Sequence, residues 1–175
     1  RGLAVATEGA SDEARARAFL ARHPALTVET RAGASLRLVD VRRAHGLRAV
    51  RFQLYHHGLE VLGATVIVAL DEASRVTALA SEVEPIVLAS LSPAIDADAA
   101  LARARAECGA TSTRGGAARL AILAEGRARL VYRVRLPYPA DSTMGRYHLV
   151  DASNGGYLGW RRTGVVDELR KGVRP

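Results

Sequence analysis

The sequence predicts an α+β chain of two subdomains, each a helix packed on a four-stranded antiparallel sheet. Three observations lead there. A helical pattern followed by four strand-like segments occurs twice along the chain. Short glycine-bearing turns separate several of the strand pairs, as hairpins require. And 175 residues at 49% hydrophobic content suffice for one domain or two small ones. Aromatic residues are few, so the core must be built from Ala, Val, Leu and Ile.

The first helix is expected over residues 11–22. Ser11 is a good N-cap, Asp12 and Glu13 suit the first turn, and Ala16, Phe19, Leu20 and His23 share a face. His23-Pro24 ends it, because proline pushes the preceding residue out of the α region. Strands follow at Ser35–Arg43, Leu47–His57, Leu59–Asp71 and Arg75–Val87, with turns at Ala44-His45-Gly46, His57-Gly58 and Glu72-Ala73-Ser74. In the second strand Val50, Phe52 and Leu54 occupy one face and Arg51, Gln53 and Tyr55 the other. The third is apolar on both faces, which predicts a central strand covered on both sides. Gly58 falls in the turn, and Gly63 interrupts the third strand, predicting a bulge or a close approach.

The second helix is capped at Asp96, with Asp98 in its first turn. Ala97, Ala100, Leu101, Ala104 and Cys108 lie on one side, and Gly109 closes it. After a loose stretch from Thr111 to Gly116 come strands at Ala118–Ala124, Arg127–Leu136, Tyr147–Ala152 and Tyr157–Thr163. Glu125-Gly126 and Asn154-Gly155 are read as tight hairpin turns. The organisation is therefore 1–88, 89–163 and a tail at 164–175.

The run Phe52-Gln53-x-Tyr55-x-x-Gly58-x-x-Val61-x-Gly63, followed by β-branched residues and Asp71, resembles the fungalysin/thermolysin propeptide motif. Leu54 stands where that family usually has a second Gln. In the second half, Ser92-Pro93-x-Ile95 with Ala100, Leu101 and Ala104 is similar to the helix of a PepSY domain. Leu130-Val131-Tyr132-Arg133-Val134 and the hairpin Val150-Asp151-Ala152-Ser153-Asn154-Gly155-Gly156-Tyr157 resemble its strands, with Gly156 where the family often has Glu. The resemblance implies a cystatin-like/PepSY-like fold for each half. It also implies the pro-region of a secreted thermolysin-like zinc metalloprotease, an intramolecular chaperone and inhibitor.

The residues themselves offer no catalytic centre. There is no His-Glu-x-x-His, no Gly-x-Ser-x-Gly elbow, no Walker loop and no dinucleotide fingerprint. His56 and His57 are adjacent and would point to opposite faces of a strand, and His23, His45 and His148 are isolated. Asp151 invites an acid–base role, but its place before a turn predicts a hydrogen bond that stabilises the hairpin. The sole cysteine, Cys108, excludes an internal disulfide and is read as a small buried hydrophobe.

The formal charge is +7, and every basic residue except Lys171 is arginine, a bias that fits a GC-rich genome. The arginines are scattered without a recognition motif, so solvated surface is the first reading and an acidic partner surface the second. Nucleic acid and membrane are not expected as partners, and no apolar run reaches the length of a membrane span. Arg1 in place of Met leads us to expect an upstream piece.

What the resemblance implies can be assigned residue by residue. The partner is the cognate zinc metalloprotease catalytic domain, which supplies the zinc; this chain needs no cofactor and is monomeric alone, secreted or periplasmic. Arg51, Gln53 and Tyr55, together with Gly164, Val165, Val166, Arg174 and Pro175 of the tail, are expected to contact the protease. Solvated cross-strand pairing is the competing role for the first three. Gly58, Val61, Gly63, Tyr132, Asp151 and Gly155 are read as scaffold. The competing function is a free-standing secreted PepSY-type binding or regulatory module without its own protease.

Overall fold

The computed structural model of the chain describes residues 4–24, 32–82, 86–108, 115–137 and 145–162. Gly109, Thr111, Thr163 and the whole tail, with Gly164, Val165, Val166, Arg174 and Pro175, lie outside the described residues. The elements run β1 (Val5–Ala6), α1 (Asp12–Arg22), β2 (Ala34–Ala44), β3 (Leu47–His56), β4 (Leu59–Leu70) and β5 (Arg75–Glu82) in the first half. The second half holds α2 (Ala97–Cys108), β6 (Ala117–Leu123), β7 (Arg129–Arg135), β8 (Arg146–Asp151) and β9 (Tyr157–Arg162).

This is not the expected pair of helix-on-four-strand subdomains. Nine strands stand against two helices of 11 and 12 residues among the described residues, so the chain is α+β only in a loose sense. It divides into one compact unit of residues 1–87 with 122–128, and a second of 88–121 with 129–175. In the first unit five strands pair in the order β1-β5-β4-β3-β2, all antiparallel. The fifth strand escaped the sequence pattern because β1 has only two residues, too few to show alternation. Which unit 122–128 joins is a matter of tertiary packing, which periodicity does not encode.

The first unit follows from its local chemistry. Ser11 sits in extended backbone and its side chain accepts from the Ala14 N–H, satisfying one of the free donors that begin α1. The helix lays Ala16, Phe19 and Leu20 on β2, β3 and β4, where Val50, Phe52, Leu54, Val66 and Val68 meet them fully buried. Removing apolar area of this kind from water stabilises by about 25 cal/mol per Å². The other face of β4, with Thr65, Ile67 and Ala69, is only half-buried, so the strand is central by pairing but closed on one face. Two hairpins turn on two residues each. His45 and Gly46 join β2 to β3, and His57 and Gly58 join β3 to β4, with φ near 50°, 75°, 48° and 80°. Positive φ at both positions matches the right-handed strand twist.

In the second unit β7, β8 and β9 form an antiparallel meander with α2 packed on it. Asp96 caps α2, its Oδ1 accepting from Ala99 N at 2.7 Å. The Asn154-Gly155 turn is wider than a two-residue hairpin. Asp151 N donates to the Gly156 carbonyl and Gly155 N to the Asp151 carbonyl, while Val150 pairs with Tyr157. The Asp151 carboxylate causes this by drawing in Ser153 N at 2.8 Å and Ser153 Oγ at 2.6 Å. Cys108 is exposed rather than buried as a residue, because it ends the helix, although its Sγ turns inward to the His148 ring.

Candidate functional site

The outward row of β3 brings Arg51, Gln53 and Tyr55 onto one face, two residues apart, while Val50, Phe52 and Leu54 between them are buried. Each of the three has a partner inside the first unit. Arg51 Nη2 lies 2.9 Å from Asp40 Oδ2 on β2, and Arg42 Nε reaches the same oxygen at 3.2 Å. Tyr55 carries the Arg37 guanidinium 4.0 Å above its ring, a cation–π contact across the β2–β3 pair.

Gln53 is held most closely. β3 and β4 run in register from Arg48↔Leu70 to Gln53↔Thr65 and resume at Tyr55↔Glu60. Residues 61–64 therefore bulge opposite the single residue Leu54. Gln53 Nε2 points into that bulge, 2.6 Å from the Val61 carbonyl, 2.9 Å from that of Ala64 and 3.2 Å from that of Leu54. Carbonyls displaced from the ladder thus regain a donor. Gly63 makes the bulge possible through its φ of 80°; a Cβ there would meet nothing within 4 Å, so conformation and not space selects glycine. Val61 is fully buried at the start of the bulge, and Gly58 occupies the preceding turn.

In the second unit the Tyr132 hydroxyl donates to the Ile95 carbonyl at 3.0 Å. Ala94 N meets the Ala152 carbonyl and Ala152 N the Leu130 carbonyl. Ile95 N also reaches the Ala152 carbonyl, at 3.3 Å, so the segment leading into α2 is tied to β7 and β8 through Ala94 N, Ile95 N and the Ile95 carbonyl. Burial, with Asp96 second, raises the pKa of the Tyr132 hydroxyl and keeps it a donor.

Sequence reasoning missed two clusters. Arg48 Nη1 contacts Asp12 Oδ1 at 2.8 Å, and its Nη2 contacts the Asp71 carbonyl and Ser74 Oγ at 2.6 and 2.9 Å. It joins the first turn of α1 to the β4–β5 turn. In the second unit Cys108 Sγ lies 3.3 Å from His148 Nδ1, which also lies 2.9 Å from the Tyr157 hydroxyl. Burial, then Glu107, raises the pKa of the thiol; burial, then Arg146, lowers that of the imidazole. Both shifts oppose a thiolate–imidazolium pair and favour the neutral thiol and imidazole. Either cluster needed knowledge of the fold, since its members are far apart in sequence.

The His56 and His57 rings meet edge-on with centroids 4.5 Å apart. Among the described residues no group of three or more His, Cys, Asp or Glu side chains is placed to hold a metal ion, and no helix is long and apolar enough to cross a membrane.

Comparison with known proteins adds one firm point. Residues 34–83 match the family model of the Fungalysin/Thermolysin Propeptide Motif, a span running from the first residue of β2 to just past β5. No curated protein matches the chain by sequence. Among solved structures, the Bacillus megaterium YpeB C-terminal domain is similar at 13% identity, covering 90% of this chain and 67% of that one, with a TM-score of 0.45. A protein of Clostridium difficile 630, provisionally described as a lipoprotein, is similar at 10% identity over 84% of this chain and 89% of that one, with a TM-score of 0.31.

Proposed function

We propose that this chain, which carries the fungalysin/thermolysin propeptide motif over residues 34–83, is the non-catalytic pro-region of a secreted thermolysin-like zinc metalloprotease. The motif match carries the reading. It falls on β2 to β5, of which β3 and β4 build the bulge, with Gln53, Gly58 and Gly63 at positions where the backbone needs that residue type and Val61 buried at the start of the bulge. In this role the chain binds the native-like state of its catalytic domain and so shifts folding toward it. The same binding closes the active-site cleft until the pro-region is cleaved away.

The tail from Gly164 to Pro175 is assigned the inhibitory contact. A carbonyl of this tail would take the open coordination position of a zinc ion that belongs to the partner domain. The chain works outside the cytoplasm, secreted or periplasmic, and is monomeric alone.

The test is inhibition by the isolated chain. It should inhibit the protease encoded with it and leave unrelated serine proteases untouched, and truncation after Thr163 should weaken that inhibition substantially. Equal inhibition by the truncated chain overturns the role of the tail. Lack of any inhibition, with no His-Glu-x-x-His encoded downstream, turns the reading toward a free-standing binding module.

A further inference from the structure

We infer that the outer edge of β2 is a docking site for an extended, carboxylate-bearing segment of a partner protein, which adds to the sheet as a further strand. The partner's identity as the protease catalytic domain rests on the pro-region reading; the chemistry of the edge does not. β2 is 11 residues long, and among the described residues it pairs only with β3. A long edge with free N–H and C=O groups is a template for another chain, and proteins ordinarily blunt it. Here the strand carries a bulge at Val39 and three arginines, yet it also leaves aliphatic side chains exposed. Leu38, Val39 and Val41 are 38%, 49% and 37% exposed, and Leu47 across the turn is 44% exposed.

Charge selects the occupant. Arg37, Arg42 and Arg43 lie on the strand. A groove of ≈ 520 Å³ beside it, under the first turn of α1, is lined by Leu38, Val41, Arg15, Arg43 and Arg48. The two carboxylates at the rim are already engaged, Asp12 by Arg48 and Arg15 and Glu13 by Arg17. A second copy pairing through β2 would bring arginines against arginines, which cross-strand energetics disfavour. A strand alternating aliphatic and acidic residues would set its apolar face on Leu38 and Val41 and its carboxylates on the opposite face, beside Arg37 and Arg42. Main-chain bonds then supply affinity and the side chains selectivity.

The test uses the full 15N-labelled chain and synthetic peptides of about eight residues, the length of a typical strand or slightly more. A peptide alternating Val and Glu should shift the amide resonances of 37–43. Its affinity should fall about tenfold when salt exceeds the range over which exposed charges act, and Val41→Lys should weaken it about tenfold, equivalent to 1.4 kcal/mol. Should Val41→Lys disturb resonances away from β2, Val39→Lys at the more exposed position takes its place. Equal binding of a Val–Lys peptide, equal binding of oligoglutamate, or shifts confined to other strands would each overturn the proposal. So would shifts of 37–43 that appear on raising the concentration of the chain alone, which would mark a second copy as the occupant. No protease is present, so a negative result here leaves the inhibition test standing, and failed inhibition leaves this one standing.

Discussion

Gln53 Nε2 donates to the Val61 carbonyl oxygen across 2.6 Å, from one strand of a hairpin into a bulge in the other. A side-chain amide replaces the main-chain donor that the bulge has displaced, and Ala64 shares it at 2.9 Å. The polar residue in this motif is thereby a part of the backbone hydrogen-bond network.

Gln53→Ala should destabilise the chain by about 2 kcal/mol, the cost of leaving enclosed carbonyls without a donor. Gln53→Glu should cost more, because a carboxylate of the same shape brings an acceptor and a negative charge against those oxygens. Urea unfolding monitored by circular dichroism checks both. If Gln53→Glu unfolds at the same midpoint as the unsubstituted chain, the amide does not hold the bulge.

Gly63 is the matching test of conformation against space. A methyl group at this position would touch nothing, so sterics beyond the residue predict no penalty. Its φ of 80° predicts a cost of about 1–2 kcal/mol for Gly63→Ala. Gly63→Asn should cost less, since Asn tolerates the left-handed region better. Thermal unfolding of the two variants should rank glycine above asparagine above alanine.

How much of this was legible in the sequence depends on how local the cause is. Ser11 and Asp96 announced their helices because a cap acts within three residues, and His57-Gly58 announced its turn for the same reason. The alternation of Val50, Phe52 and Leu54 gave the buried face of β3. The bulge was visible only as an odd glycine, because its size depends on register against β3. Cys108 misled, since the helical stripe said nothing of where the helix ends relative to the core. The four-strand count failed on a two-residue strand that exists only because β5 is there to pair with it.

Arg48→Lys should destabilise by about 1 kcal/mol although the charge is kept. A planar fork reaches Asp12 with one nitrogen and both the Asp71 carbonyl and Ser74 Oγ with another, whereas a single ammonium cannot span them. Arg48→Ala should cost more, leaving Asp12 with only the longer Arg15 contact at 3.7 Å. Hydrogen exchange supplies the specific readout: protection should fall first at the start of α1 and in the 71–75 turn. A loss spread evenly over the first unit would contradict the assigned bridge.

His148 makes stability depend on pH. It is 4% exposed and packed against Cys108 of α2, Tyr157 of β9 and Arg146 of its own strand, with no carboxylate among these to favour a charge. Burial, then Arg146, lowers its pKa when folded, whereas in the unfolded chain it titrates near about 6.5. The unfolded state therefore binds the proton more readily. The stabilisation is complete above that value and is lost as pH falls through the lower folded pKa. His56, lowered by burial and by His57, adds to the same slope. The urea midpoint should accordingly drop between pH 7 and pH 5. His148→Gln, which stays neutral and retains a hydrogen-bonding group for Tyr157, should reduce that drop without abolishing it, the His56 share remaining. An unchanged slope in His148→Gln would mean that the buried imidazole is not what the proton reads.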